Sequence, residues 1–333
     1  MKRKNNLYEN MCKMQNILNA FDEVCHNTKN KRKVRKYKEY KCIYVSRIHE
    51  ILTKKEYEVG PYTVFTIFEP KERRIVSQNL QDKIINHLVS RQILYPALNP
   101  CLIMENVASI KGKGTKAGLN LVREYNRKCK IKYSEYYILK CDISKFFASI
   151  DHDNLKSKIK KRIKDKDALE IIFKIIDSEK NGLGIGNMTS QVLAVFYLND
   201  LDHYIKESLK IKYYVRYQDD FLLFHESKEY LRACFGKIKD FLEKEKLTLN
   251  KKSRLYKSTN NYIFLGRNSR GKYARYRNVK RKLKYRKHLY EIGKIEINSV
   301  VSSMICYESL LKRNGWYYNF IVSAISFSSS INW

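Results

Sequence analysis

The sequence predicts a mixed α+β fold in which a small antiparallel sheet is backed by helices. Three observations predict it. Lys212-Tyr-Tyr-Val-Arg216 and Phe221-Leu-Leu-Phe224 are rich in β-branched and aromatic residues and flank Tyr217-Gln218-Asp219-Asp220, so they read as two strands joined by a tight turn. Tyr137-Ile-Leu-Lys-Cys-Asp142 is a further apolar strand, ending in an acid. Around these strands apolar residues recur at helical spacing, as in Leu80, Ile84 and Leu88 and again in Leu193, Phe196, Leu201, Ile205 and Leu209.

The hairpin puts Asp219 and Asp220 at its tip. Adjacent acids repel, and a turn rising from an apolar sheet offers little compensation unless a cation sits there. Magnesium, a hard ion held by one or two carboxylates plus substrate phosphates, suits such a tip. Alone, the tetrad fits an exposed Asp-Asp turn equally well, because Asp is a common turn former. Asp142 shifts the balance: its strand, followed by Phe146-Phe147, is placed to deliver a third carboxylate to the same sheet end. Three acids on two neighbouring strands suit a pair of ions, one activating an attacking oxygen and the other steadying a leaving group. That is the apparatus of nucleotidyl transfer.

Composition agrees with a phosphate-rich partner. The 333 residues are enough for about two ordinary domains. The 67 Lys and Arg against 34 Asp and Glu leave a formal charge of +33, which favours a polyanion such as nucleic acid or an acidic membrane. There is no apolar run of about 18 residues and no hydrophobic region behind Lys2-Arg-Lys4, so export and membrane spanning are not expected and a cytoplasmic location is. The eight cysteines are scattered without a Cys-x-x-Cys pair, as fits reduced thiols, and Cys25-His26 lacks partners at ligand spacing.

Along the chain, residues 1–55 read as mostly helical, with eight basic residues and one acid between Lys29 and Lys41, either a solvated face or a phosphate contact. Tyr62-Thr-Val-Phe-Thr-Ile-Phe68 is a strand that turns at Glu69-Pro70 toward Arg74-Ile-Val76. The cations Lys71, Arg73 and Arg74 suit closure over a triphosphate, or an ordinary basic turn. Ser109-Ile-Lys-Gly112-Lys-Gly114-Thr115 lacks phosphate-loop spacing, and its glycines suit a close backbone approach to nucleic acid. Asp151 and Asp153 read as helix caps. Gly182-Leu-Gly184-Ile185-Gly186 leads into a helix and suits either a bound base pair or a plain junction. From Arg267 to Lys287 there are eleven basic residues, no acid and three interleaved tyrosines, a pattern suited to tracking a strand. The remainder reads as an amphipathic helix ending near Asn314-Gly315, then an apolar tail.

In order, Arg73-Arg74-Ile75, Asp142-Ile-Ser-Lys-Phe-Phe147, Ile185-Gly-Asn-Met-Thr-Ser-Gln191, Tyr217-Gln-Asp-Asp220, Asn250-Lys-Lys252-Ser253 and Phe264-Leu-Gly266 resemble the successive blocks of a reverse transcriptase, from about Tyr57 to Gly266. The Ile-Gly-x-x-x-Ser-Gln form is most similar to the enzymes of diversity-generating retroelements. The resemblance implies a right-hand polymerase: N-terminal helices and fingers at 1–135, a palm at 136–266 and a basic helical thumb at 267–333. It implies that Asp142, Asp219 and Asp220, with the Ile143 carbonyl, hold two Mg2+ ions, Mn2+ being the alternative. Phe147 becomes the gate against a 2′-hydroxyl, Lys71 with Arg73 or Arg74 the triphosphate clamp, Lys252 the acid for departing pyrophosphate, and Phe264-Leu-Gly266 the primer grip.

Ile185 stands where most of the family carries Gln, and it and Gln191 are expected at the incoming nucleotide, with low fidelity at template adenines. Implied partners are template RNA, the RNA/cDNA hybrid, dNTPs and a basic accessory variability protein. Two rivals are an orphan reverse transcriptase acting in phage defence and an RNA-binding scaffold with a dead polymerase domain.

Overall fold

The computed structural model of the chain describes residues 3–28, 30–67, 73–269, 271 and 276–312. The chain divides into two compact units, residues 1–65 with 74–259 and residues 66–73 with 260–333. Lys71 and everything after Lys312, including the expected helix end and tail, lie outside the described residues.

The larger unit opens with α1 (Leu7–Cys12), α2 (Met14–Asn27), α3 (Lys31–Glu39) and α4 (Lys41–Thr53). Their apolar stripes bury Met11, Ile17, Phe21, Val24, Val45, Ile48 and Leu52, while Arg32, Arg35, Lys36 and Lys38 of α3 remain exposed. Strands β1 (Thr63–Ile67) and β2 (Arg73–Ser77) pair as a two-stranded sheet. Helix α5 (Leu80–Leu88) starts at Asn79, whose side chain accepts the Asp82 N–H, and α6 (Tyr95–Leu98) follows.

Next come α7 (Thr115–Lys132), β3 (Tyr137–Asp142), α8 (Phe146–Ser149), α9 (His152–Lys160), α10 (Lys166–Asp177), α11 (Met188–Tyr197) and α12 (Asn199–His203). Strands β4 (Tyr213–Tyr217) and β5 (Asp220–His225), helix α13 (Lys228–Lys244) and strand β6 (Arg254–Lys257) complete the unit.

Strands β3, β4, β5 and β6 form one antiparallel sheet of order β4-β5-β3-β6. Alternation along the strands sorts their side chains onto two faces. Leu139, Cys141, Tyr214, Phe221 and Leu223 enter the main core together with Leu193 of α11, Leu201 of α12 and Ile238 of α13. Each such fully buried Leu or Phe contributes about 1.5–3 kcal/mol. By the same register Ile138, Lys140, Asp142, Val215, Asp220, Leu222 and Phe224 share the other face. There α7 covers one end: the Tyr125 ring lies 5.3 Å from Tyr213 and 6.0 Å from Phe224.

The smaller unit contains β7 (Ile263–Phe264), β8 (Arg267–Asn268), α14 (Tyr276–Glu291) and α15 (Ile297–Lys312). Leu265 and Gly266 join β7 to β8 with φ of 48° and 75°, the positive values that a two-residue hairpin favours. Helices α14 and α15 pack through Val279, Leu283, Val300 and Met304. No described helix is long and apolar enough to cross a membrane.

Asp165 anchors the N-terminal helices to the body. Its carboxylate caps α10 by accepting the Ala168 N–H and also receives the Leu7 and Tyr8 N–H groups at the start of α1, at 2.7 and 2.9 Å. Burial pushes its acid strength the other way, but the backbone donors of Tyr8, Ala168, Leu7 and Asp167 prevail and hold it below the ordinary carboxylate range. A depressed folded value stabilises above the unfolded value near ~3.9 and is lost as pH falls through the folded one. Asp165→Ala should therefore lower stability by about 2 kcal/mol at neutral pH, for two helix termini losing a cap. In urea unfolding the gap to the parent should shrink in acid; a gap independent of pH contradicts the assignment.

Candidate active site

The candidate site is built by strand register. Asp142, the last residue of β3, is the direct cross-strand partner of Asp220, the first residue of β5. Tyr217 pairs with Asp220 across the hairpin, which leaves Gln218 and Asp219 as its two-residue turn. Sequence reasoning placed both acids at the tip; only Asp219 is in the turn, because ladder pairing with β3 claims Asp220 as strand. The Ile143 N–H donates to the Asp219 carbonyl at 3.2 Å, so the turn and the end of β3 are tied directly.

Asp142 and Asp219 each lie within electrostatic range of Asp220. Asp220 is pushed up to about 6, by burial first; Asp142 and Asp219 add to the rise, and Lys140 opposes it. Lys140 stands two residues before Asp142 on the same face, and its ammonium donates to the Asp220 carboxylate. Among the described residues no three His, Cys, Asp or Glu side chains form a ready metal cage. The expected trio is thus two carboxylates, Asp142 and Asp219, plus a third that faces a lysine. A cation at this end would meet oxygen donors from the residues the sequence nominated, Asp142, Asp219 and the Ile143 carbonyl, a set suited to a hard divalent ion.

The turn is held from behind by a buried ion pair that sequence reasoning missed. Arg216 and Asp202 are both fully buried, and the guanidinium meets the carboxylate through Nε at 2.6 Å and through Nη2. Tyr214 donates to the same carboxylate at 2.7 Å. From this anchor Arg216 Nη1 donates to the Gln218 carbonyl at 3.1 Å, and Gln218 Nε2 donates to the Ser109 hydroxyl at 2.9 Å. Gln218 needs the restraint, since its φ of 56° lies in the left-handed region that costs a non-glycine residue about 1–2 kcal/mol. One signal was visible in advance: an arginine closing the apolar run Tyr213-Tyr-Val215.

The remaining predicted residues differ in what holds them. The Asn250–Ser253 turn packs on Asp142: the Asn250 N–H donates to the Asp142 carbonyl at 2.7 Å and the Asp142 N–H to Ser253 Oγ at 3.2 Å. Lys252 sits exposed on that turn. Phe147 is half-buried beside buried Phe146, the rings meeting edge to face at 5.8 Å. Arg73 is exposed, Arg74 reaches Glu179 at 3.5 Å, and Gln191 is exposed on α11.

The glycine-rich loop packs on protein. The Leu183 N–H donates to the Phe147 carbonyl at 2.8 Å, and a Cβ on Gly182, at φ 64°, would fall 2.3 Å from that oxygen. Gly186 approaches the Val76 carbonyl, while the Val76 N–H donates to Ile185 at 3.1 Å. These two glycines are required so that the loop can fit between α8 and β2.

A sequence profile of the family described as reverse transcriptase (RNA-dependent DNA polymerase) matches residues 53–268. The chain belongs to that family. Among solved structures it is similar to apo telomerase from Candida tropicalis truncated from its C-terminal domain, with a TM-score of 0.52 at 16% identity over 66% of this chain and 56% of that one. A second is telomerase from the same organism in complex with a TWJ fragment of telomeric RNA, with a TM-score of 0.48 at 14% identity over 83% of this chain and 55% of that one. The chain thus spans little more than half the length of these structures, and the first shares its mixed helical and antiparallel-sheet fold. No curated protein matches the chain by sequence.

Removing one partner of a buried ion pair strands a charge, at about 3–5 kcal/mol. Arg216→Met should lose that much in urea unfolding, and Arg216→Met with Asp202→Leu should lose clearly less than the sum of the single changes. Strict additivity contradicts the pairing.

Proposed function

We propose that this chain is an RNA-directed DNA polymerase that copies a template RNA into cDNA by metal-assisted nucleotidyl transfer, within a diversity-generating retroelement. The observation that carries the mechanism is the register setting Asp142 opposite Asp220 with Asp219 in the adjoining turn. In this account residues 136–266 are the palm, 1–135 the N-terminal helices and fingers, and 267–333 the thumb. Asp142 and Asp219, with the Ile143 carbonyl, hold magnesium or manganese; Lys140 keeps Asp220 beside them. When bound, the metal neutralises phosphate charge and makes the primer 3′-hydroxyl a better nucleophile at the α-phosphate.

The protein's own contribution is positioning and charge. Lys71, Arg73 and Arg74 draw in the triphosphate. Phe147, its backbone fixed by Leu183 and Gly182, presents a ring that excludes a 2′-hydroxyl and so selects dNTPs. Lys252 gives its proton to the departing pyrophosphate, from a turn fastened to Asp142. Phe264-Leu-Gly266 grips the primer. Template RNA, the growing hybrid and a basic accessory protein are the proposed partners, and the cytoplasm the proposed location.

What supports the narrower assignment is the Ile185–Gln191 stretch. Ile185 is half-buried, with its backbone bonded to Val76, where most of the family would present an amide near Gln191 and the new base pair. Losing that amide removes a polar check on base-pair shape, so fewer wrong insertions are rejected, with errors concentrated at template adenines.

Two measurements test these proposals. Asp219→Ala should abolish dNTP incorporation on a primed RNA template while leaving RNA affinity within about twofold, since it removes a metal donor at one turn and no basic residue; retained synthesis overturns the site. Ile185→Gln should lower misincorporation opposite adenine in deep-sequenced cDNA, and an unchanged error spectrum removes the support for mutagenic copying.

A further inference from the structure

Helix α7 carries a row of cations that neither the sequence motifs nor the carboxylate end explains. Lys116, Asn120, Arg123, Arg127 and Lys130 are all exposed and recur at intervals of four, three, four and three. At 3.6 residues per turn they fall within about 40° of one line, and the row runs for about 21 Å. The opposite side of the helix is the buried one, with Gly118, Val122, Tyr125 and Cys129. Off the row, Lys128 pairs with Glu124 one turn back, whereas no ion pair among the described residues engages Lys116, Arg123, Arg127 or Lys130. Like charges at Arg123–Arg127 and Arg127–Lys130 work against the helix, Glu124 offsets this only at Arg127, and an external anion would therefore stabilise the row.

Its place in the fold gives direction. Tyr125 rests on Tyr213 and Phe224, and Phe224 lies on the same sheet face as Asp220, four residues or about 13 Å along β5. The segment before α7 is fastened to the carboxylate end, through Gln218 to Ser109 and through the Val107 N–H to the Arg216 carbonyl at 3.0 Å. Lys113, in the segment whose glycines suit a close backbone approach to nucleic acid, donates to the Met104 and Asn106 carbonyls. The row therefore begins near the candidate site at Lys116 and leads away from it toward Lys130.

We propose that this row binds the sugar–phosphate backbone of the RNA–DNA hybrid leaving the site, an inference that rests on the polymerase reading above. Single strands are held by cations interleaved with aromatic rings that stack on bases. The one aromatic residue of α7, Tyr125, is buried, so the row offers charge and an amide but no stacking surface. A duplex, whose bases are already stacked and whose phosphates are presented outward, is the polyanion that such a surface fits.

The test compares the parent with Lys116→Gln/Arg123→Gln/Arg127→Gln/Lys130→Gln, and with a control that neutralises Lys161, Lys164, Lys166 and Lys244 on other exposed surfaces. Affinity for a blunt RNA–DNA hybrid and for the same RNA as a single strand is read by fluorescence anisotropy over a salt series, without dNTPs, so the outcome is independent of catalysis. The row variant should bind the hybrid at least roughly tenfold more weakly, with a log–log salt slope shallower by about 3 to 4. Single-strand binding by the row variant, and hybrid binding by the control, should change by less than about one slope unit. An unchanged hybrid slope overturns the proposal, as does an equal loss in the control or an equal loss for the single strand. Circular dichroism of the row variant guards against unfolding, since glutamine is a good helix former at exposed positions.

Discussion

Six consecutive residues of β3, from Tyr137 to Asp142, pair with His225 to Asp220 of β5 in antiparallel register. The rest of the site depends on that register, because side chains alternate faces along a strand and a slip of one residue would turn every one of them over. In the observed register Asp142 and Asp220 meet on one face while Cys141 and Phe221 enter the core on the other. A slip would bury Asp142 among apolar side chains and expose Leu139 and Cys141. The hydrophobic pattern that stabilises the sheet is thus also what brings acids 78 positions apart to one place.

Crowding charge at a sheet end is costly, and the surroundings show how it is accommodated. Asp220 is relieved by Lys140, and the turn bearing Asp219 is braced by Arg216, whose own charge is neutralised by Asp202 and whose remaining donors reach the Val195 and Gln218 carbonyls. A fully buried charge is tolerable only when its partners are this complete. The brace matters because Gln218 is held at positive φ, a local conformation that tertiary contacts and not the residue type impose.

Much of this was legible in the sequence, for definable reasons. Strands β3, β4 and β5 announce themselves by apolar, aromatic and β-branched runs, and acids at the ends of such runs are conspicuous because they oppose the pattern. Asp151 was legible as a cap from its place before a helical run, and its side chain does accept the Asn154 N–H; Asp153 instead lies within the first turn. What stayed hidden depends on partners remote in the chain. Lys140 and Arg216 look like surface charges until strand pairing and α12 supply Asp220 and Asp202. Gly182 and Gly186 look like a ligand loop, whereas the atoms they accommodate belong to Phe147, Ala148 and Val76. Sequence signals local geometry well, but close approach between distant backbones leaves no local trace.

The central claim is that Asp142 and the Asp219 turn hold one divalent site jointly. Iron(II) bound in place of magnesium, with ascorbate and peroxide, cuts backbone next to the ion and reports this without reference to catalysis. The account predicts scission at both the end of β3 and the β4–β5 turn, suppressed by excess Mg2+. Scission at only one of the two segments, or at neither, contradicts it.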